Sequence, residues 1–189
     1  MKPIGTIRLE SPRLQFRRFQ KGDEMMMFIN YCNNQEVTRY LTWSPHEDLQ
    51  VTHEFLDAIL EKYNDPYFFA WAIIDKESQQ LIGSIDFVKI NKNLNEGEIG
   101  YVLSEAYWNQ GFMSEALNTI TNFSFNKADF KRIIIRADAR NLASMRVQEK
   151  CGYHIDGIEE DVLQPGQKDL IDIVSRSLSK EEYLTRIKR

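Results

Sequence analysis

The sequence predicts an α+β, or mixed α/β, fold: a largely antiparallel central sheet with helices on both faces. Three observations carry that expectation. Apolar residues recur at a spacing of two in some segments and near 3.6 in others, and the two kinds of segment are cleanly separated. Short polar turns stand between successive strand-like runs, as in hairpins. The segments follow the order strand, two helices, three strands, helix, strand, helix, two strands, which a mainly antiparallel sheet satisfies; the sheet is mixed if the strands around the third helix run parallel. The 189 residues show no low-complexity run, long linker or internal repeat, so one domain over 1–189 is expected.

Taken in order, Ile7-Arg8-Leu9 and Leu14-Gln15-Phe16-Arg17 alternate apolar and polar, with Ser11-Pro12 as the break. From Asp23 to Asn33 the spacing of Met25, Phe28, Ile29 and Cys32 predicts a helix with those residues inward. Met25, Met26 and Met27 read either as core or as an adaptable ligand wall. A second helix is predicted over Glu47–Tyr63, with Val51, Phe55, Leu56 and Ile59 inward. Strands follow over Phe68–Ile74, Leu81–Ile90 and Glu96–Leu103, joined by turns at Asp75–Ser78 and Asn91–Asn95. Met113, Ala116, Leu117, Ile120 and Phe123 define a helix over Gly111–Ala128. Arg132–Ala137 is a β-branched strand and Asn141–Cys151 a short helix. Two last strands, Tyr153–Val162 and Asp169–Leu178, flank a Pro165-Gly166 turn.

Composition excludes several functions. A net charge of −4 without a clustered basic face argues against nucleic acid as an obligate partner. Cys32 and Cys151 lie far apart, and His46, His53 and His154 form no ligand spacing with them, so no metal is expected. Met1–Glu10 has no apolar signal region and no run of about 18 apolar residues occurs, so a cytoplasmic protein without a membrane partner is expected. A monomer or a homodimer is compatible with all of this.

Two segments carry chemistry. Glu98–Leu117 reads as a buried strand, a polar aromatic loop and a glycine, Gly111, opening a helix. Free amides at a helix N-terminus, aided by the helix dipole, hold a phosphate without a basic side chain. The same glycine equally serves as a turn residue. The second segment runs from Asn141 through Ser144, Glu149 and Lys150 to Gly152-Tyr153. Asn141 is a good N-cap and Gly152 a natural helix stop, so these polar residues read either as punctuation or as a site.

Together, about thirty residues apart and in this order, the two segments resemble the GNAT superfamily of N-acetyltransferases, and in particular its ribosomal-protein N-terminal acetyltransferase (Rim-type) branch. The strand-Trp108-x-x-Gly111-x-x-x-Glu115-Ala helix looks like the family's coenzyme A signature, and Asn141-x-x-Ser144-x-x-x-x-Glu149-Lys-x-Gly152-Tyr153 like its second. Glu10-Ser-Pro-Arg13-Leu-Gln-Phe-Arg17, Tyr40-Leu-Thr-Trp43-Ser-Pro45 and Leu81-Ile-Gly83-Ser-Ile resemble the branch as well.

The resemblance implies a sheet of about seven strands, splayed between its fourth and fifth, with acetyl-CoA (coenzyme A) as cosubstrate lying in the gap. It matches Tyr101, Val102 and Leu103 to the strand that pairs with the pantetheine arm. The amides of Asn109, Gln110, Gly111, Phe112, Met113 and Ser114 match the pyrophosphate site, and Asn141 the asparagine beside the pantetheine. Asn109 and Met113 depart from the small residues usual in the branch, and a bulky Met113 fits only if its side chain turns into the core. The tyrosine that often acts as general acid is missing, since Met145, Arg146, Val147 and Gln148 stand there. In the Rim-type branch the serine of this motif protonates the leaving thiolate, which makes Ser144 the candidate acid.

Transfer is then expected by direct attack of a neutral amine on the thioester. Glu98 is the candidate base, or a solvated strand-end residue; Arg136 occupies the position where some relatives carry a glutamate. Tyr40 and Trp43, with His46, form either an acceptor wall or a rim that packs their loop down. With no obvious strong base, a peptide α-amine (pKa about 7.8) suits the site better than a lysine-type amine at about 10.4. The alternatives are an acetyltransferase for small amines (polyamine, amino sugar or antibiotic) and a module that binds acyl-CoA without turnover.

Overall fold

The computed structural model describes residues 1–163 and 169–188; the expected Pro165-Gly166 turn lies outside the described residues. One sheet of eight strands runs in the order β1-β2-β3-β4-β5-β6-β8-β7. Its strands are β1 (Leu9–Glu10), β2 (Leu14–Arg17), β3 (Ala70–Asp75), β4 (Leu81–Asn91), β5 (Glu96–Leu103), β6 (Arg132–Asp138), β7 (His154–Val162) and β8 (Ile171–Ser179). All neighbours pair antiparallel except β5 and β6, which are parallel.

Each face buries its own cluster. On one, helix α4 (Phe112–Asn126) lays Leu117, Ile120 and Phe123 against Phe69, Trp71, Phe87 and Ile133. The Phe87 and Phe130 rings stack there at 4.6 Å. Helix α5 (Leu142–Lys150) joins this face through Val147. The other face carries α1 (Glu24–Met27), α2 (Gln35–Thr38) and α3 (Leu49–Lys62), which cover Ala72, Ile74, Leu81 and Val102. The final helix, α6 (Lys180–Ile187), starts at a reciprocal Ser179–Glu182 capping box.

Two helices depart from the expected faces. Beyond Met27 the first continues as a π-helical turn over Phe28–Cys32, closed by the Asn33 amide on the Phe28 carbonyl. The wider turn rotates the chain relative to a 3.6 repeat, so the buried set is Met27, Tyr31 and Cys32, while Met25 and Ile29 face solvent. In α3, Thr52 and Leu56 are buried, whereas Val51 and Phe55 are exposed. The buried stripe lies one position from the expected Val51 and Phe55, because a threonine takes the inward place and its hydroxyl hydrogen-bonds the His46 ring at 2.8 Å.

Gly83 on β4 positions the end of β5. A Cβ there would stand 2.3 Å from the Val102 carbonyl oxygen, so only glycine lets the two strands approach this closely.

Candidate active site

The expected splay is present. β5 and β6 pair at Glu96–Arg132, Gly97–Ile133 and Glu98–Ile134, and no farther. Beyond Glu98 the strands diverge, leaving Gly100–Leu103 and Ile135–Asp138 without each other as partners. The opening leads to a cavity of about 380 Å³ lined by β5, the loop after it and the starts of α4 and α5.

At its mouth the chain turns from β5 into α4. Asn109 and Gly111 both take left-handed backbone conformations, with φ of 59° and 79°. Gly111 is the N-cap of α4 and no side chain caps the helix, so the amides of its first turn point out unclaimed by the helix. Phe112, Met113 and Ser114 are buried, and the Met113 side chain sits in the main core, as a bulky residue in this place requires. The Trp108 indole donates to the Leu103 carbonyl at 2.9 Å and ties the loop to the strand end.

Sequence reasoning quoted Arg13 and Glu115 in separate motifs; the structure joins them. Glu115 Oε2 accepts from Arg13 Nε at 2.7 Å, while its Oε1 accepts from the Ser11 hydroxyl and the Arg13 amide. The Arg13 guanidinium reaches the Gln110 carbonyl at 3.0 Å and lies 4.0 Å from the centre of the Phe112 ring. Burial raises the Glu115 carboxyl, but these hydrogen bonds more than offset it and the group ends below its usual range. The mouth is thus braced by the segment that leads into β2.

Inside the cavity Ser144 is the centre of a polar cluster. Asn141 caps α5 by accepting the Ser144 amide at 3.0 Å. Gln148 Nε2 donates to Ser144 Oγ at 2.9 Å, and the Tyr101 hydroxyl lies 2.7 Å from the same oxygen. A serine hydroxyl has two acceptor positions and one proton. Either hydroxyl of the Tyr101–Ser144 pair can donate; in the arrangement where Gln148 and Tyr101 both donate, the Ser144 proton is free for the cavity that Ser144 lines. Burial pushes the Tyr101 phenol up to about 12, although its hydrogen bonds with Ser144 and Gln148 work the other way. A tyrosine is absent from α5, but one from β5 stands against Ser144, which the spacing of the second motif alone could not reveal.

The remaining expected residues divide. Tyr101, Val102, Leu103, Asn109, Gly111, Phe112, Met113, Ser114, Asn141 and Ser144 line the cavity, and so does Tyr40. Gln110 stands beside it, held by Arg13. Trp43 stands away from the cavity wall: its ring packs 5.2 Å from His46 and 6.4 Å from Phe55. His46 is buried and pinned to the Cys32 carbonyl and to Thr52, which makes this aromatic group a packed rim. Glu98 lies at the closed end of the splay, outside the cavity wall. Asp86, which the motif reading passed over, faces the α1–α3 side of β4 directly opposite Gly100.

Neither thiol is an activated nucleophile. Burial pushes Cys32 up to about 12 and Cys151 to about 11, and both side chains are enclosed. Among the described residues no cluster of histidine, cysteine and carboxylate side chains is arranged to hold a metal, and no helix is long and apolar enough to cross a membrane. Although the chain is acidic overall, the cavity wall carries Arg39, Arg146 and Lys150 against one carboxylate, Glu36, which suits a polyanionic ligand.

Comparison with known proteins agrees with this geometry. A family model described as an acetyltransferase (GNAT) domain matches residues 13–154. An uncharacterized N-acetyltransferase, p20, of Bacillus licheniformis is 27% identical over 93% of this chain and 97% of its own length. The spermidine N(1)-acetyltransferase of Vibrio cholerae is 21% identical over 92% of this chain and 97% of its own. Among solved structures, a ribosomal-protein-S5-alanine acetyltransferase from Vibrio fischeri superimposes with a TM-score of 0.78 at 20% identity, covering 94% of this chain and 98% of the other.

Proposed function

The chain belongs to the GNAT acetyltransferases and uses acetyl-CoA, and on that premise we propose that it is a cytoplasmic, single-domain enzyme that acetylates the α-amine of a peptide or protein N-terminus. The observation that carries the reading is the combination of the β5–β6 splay, the uncapped start of α4 at its mouth and the Ser144 hydroxyl inside it.

In this reading the amides of Gln110 to Ser114 hold the pyrophosphate, with the helix dipole adding to the attraction. The pantetheine arm pairs with Tyr101–Leu103, whose backbone has no partner on the β6 side. A β5 amide near Val102 stabilises the oxyanion. The amine attacks, the C–N bond forms and the C–S bond breaks; Ser144 gives its proton to the thiolate and regains one through Tyr101.

The acceptor class follows from proton energetics. Compared with an α-amine, a lysine-type amine costs roughly 3.5 kcal/mol more to neutralise at pH 7, from pKa values of about 7.8 and 10.4. The cavity wall contains no histidine, and its carboxylate, Glu36, is exposed, so nothing there provides a strong base for the harder amine. The near full-length similarity to a spermidine acetyltransferase supports a second reading, in which a polyamine is the acceptor.

Thiol release measured over a panel of amines tests both. Peptides with free N-termini are expected to outperform spermidine and Nα-blocked lysine at pH 7. Preference for spermidine would transfer the assignment to the second reading, and acetyl-CoA binding without release on any amine would remove catalysis from the proposal.

A further inference from the structure

Besides the cavity, the sheet carries a second set of polar groups that the reaction as described does not use, on the opposite side of β5. Strand alternation sends Ile85 and Phe87 into the core under α4, and therefore turns Ser84 and Asp86 toward α1–α3. Their cross-strand neighbours are small on both sides of Asp86: Ala70 on β3 and Gly100 on β5. Glycine at 100 lets β5 pass close to the Val88 side chain, which a Cβ would meet at 2.8 Å, and leaves Asp86 Oδ1 3.7 Å from that position. Among the described residues nothing donates a hydrogen bond to Asp86, and no cation lies within ion-pair distance of it.

A second buried group there is also poorly satisfied. The π-helical turn packs on β4 and carries Tyr31, which is 1% exposed; its hydroxyl makes no well-formed hydrogen bond, and the polar side chain acting on it is Ser84. The charge of Asp86 acts on that hydroxyl. A buried polar group left without a partner is destabilising, so such groups persist where a ligand satisfies them. π turns of this kind recur at functional sites.

From this we infer that Asp86, with Tyr31 beside it, forms the subsite for the acceptor amine, and that Asp86 takes the proton the attacking nitrogen loses. The inference rests on the reading of the chain as an amine acetyltransferase. The amine's complementary chemistry fits both groups, since a primary amine donates N–H to a carboxylate and accepts a phenolic O–H on its lone pair. Distance favours Asp86 over Glu98. At about 3.4 Å per residue, Gly100 opposite Asp86 is about 7 Å along β5 from Val102, whereas Glu98 is about 14 Å away. The first span is bridged by a side chain and one water; the second is not.

The protons balance. The nitrogen of R–NH2 bonds to the thioester carbon and loses one proton to the Asp86 carboxylate; sulfur leaves and takes the Ser144 proton; Asp86 returns its proton to solvent. Burial pushes the Asp86 carboxyl up to about 7, despite Lys62 of α3 drawing it down. The other ionisable groups on this face include Tyr31 and Cys32 of the π turn, Tyr63 at the end of α3, Glu98 on β5, opposed by Lys89, and Asp23, which is tied to Arg17 at 2.7 Å; β3 contributes only the apolar Ala70, Ala72 and Ile74. A base near 7 matches an α-amine closely and falls short of a lysine-type amine.

The test compares Asp86→Asn and Glu98→Gln with the unaltered chain, using a tripeptide amide with a free N-terminus. Asp86→Asn is expected to keep the acetyl-CoA-induced rise in melting temperature, to lose at least tenfold in kcat/KM at pH 7, and to recover much of it toward pH 9 as the amine becomes neutral unaided. Glu98→Gln is expected to follow the unaltered pH profile. An Asp86→Asn profile parallel to the unaltered one and equal in height, or the pH-dependent loss appearing in Glu98→Gln instead, overturns the assignment of Asp86 alone. No amine-dependent release by the unaltered chain overturns the enzyme reading and this inference with it.

Discussion

The two sides of β5 are built differently. On the α4–α5 side, Tyr101, Ser144 and Asn141 are polar groups already joined to one another and to Gln148. On the α1–α3 side, nothing among the described residues donates to Asp86, and the Tyr31 hydroxyl makes no well-formed hydrogen bond. A connected network is fixed before any ligand arrives and suits a proton transfer whose geometry must not vary. Unpaired groups on the far side are satisfied by whatever enters. The same strand therefore offers a prepared face to the leaving group and an unfinished face to the acceptor.

The largest effect expected from disturbing the prepared face is at Gly111. Gly111→Pro removes an amide from the mouth and forbids the observed φ of 79°. The stabilisation by acetyl-CoA, about 2.7 kcal/mol at a hundredfold excess over Kd, should vanish from thermal melts. An undiminished shift would place the phosphates elsewhere. Gly83→Ala forces a Cβ against the Val102 carbonyl and should displace the strand that pairs with the pantetheine arm. A loss of acetyl-CoA affinity of tenfold or more is expected by titration calorimetry, and unchanged affinity would mean that the end of β5 moves freely.

Tyr101→Phe sharpens the contrast more gently. It keeps the ring and removes the hydroxyl 2.7 Å from Ser144 Oγ. A roughly tenfold fall in kcat, at the low end for general acid–base groups, is expected with acetyl-CoA affinity held; equal losses in kcat and affinity would mark Tyr101 as packing only. The smallest expected effect is at Glu115→Gln. Because the Glu115 carboxyl is held below its usual value of about 4.3, it adds stability above that pH and loses it as pH falls through the folded value. The variant should melt lower than the unaltered chain at pH 7, and the gap should close in acid; a gap independent of pH would contradict the ion-pair account.

How much of this could be read from residues alone varies by region. Gly111, Ser144 and the β5 segment were legible because their roles depend on local spacing: a strand, a turn glycine and a capped helix occupy consecutive residues. Asp86 and Tyr31 were not. Their meaning depends on a π turn that shifts the buried set from Met25 and Ile29 to Met27 and Tyr31, and on which face of β4 packs against α4. The Arg13–Glu115 brace spans 102 residues of sequence and arises only when β2 and α4 meet. By contrast, α6 had a local signal, since Ser179 and Glu182 stand at capping-box spacing.

The most direct test of the central claim, that the splayed cleft prepares Ser144 to protonate the thiolate, is steady-state thiol release by Ser144→Ala measured together with its acetyl-CoA affinity and melting temperature. The account predicts kcat lower by one to a few orders of magnitude, near-native affinity, and a stability loss of about 1–3 kcal/mol as buried Gln148 and Tyr101 lose their partner while Asn141 still caps α5. Turnover near that of the unaltered chain would contradict it and leave Ser144 as a helix residue.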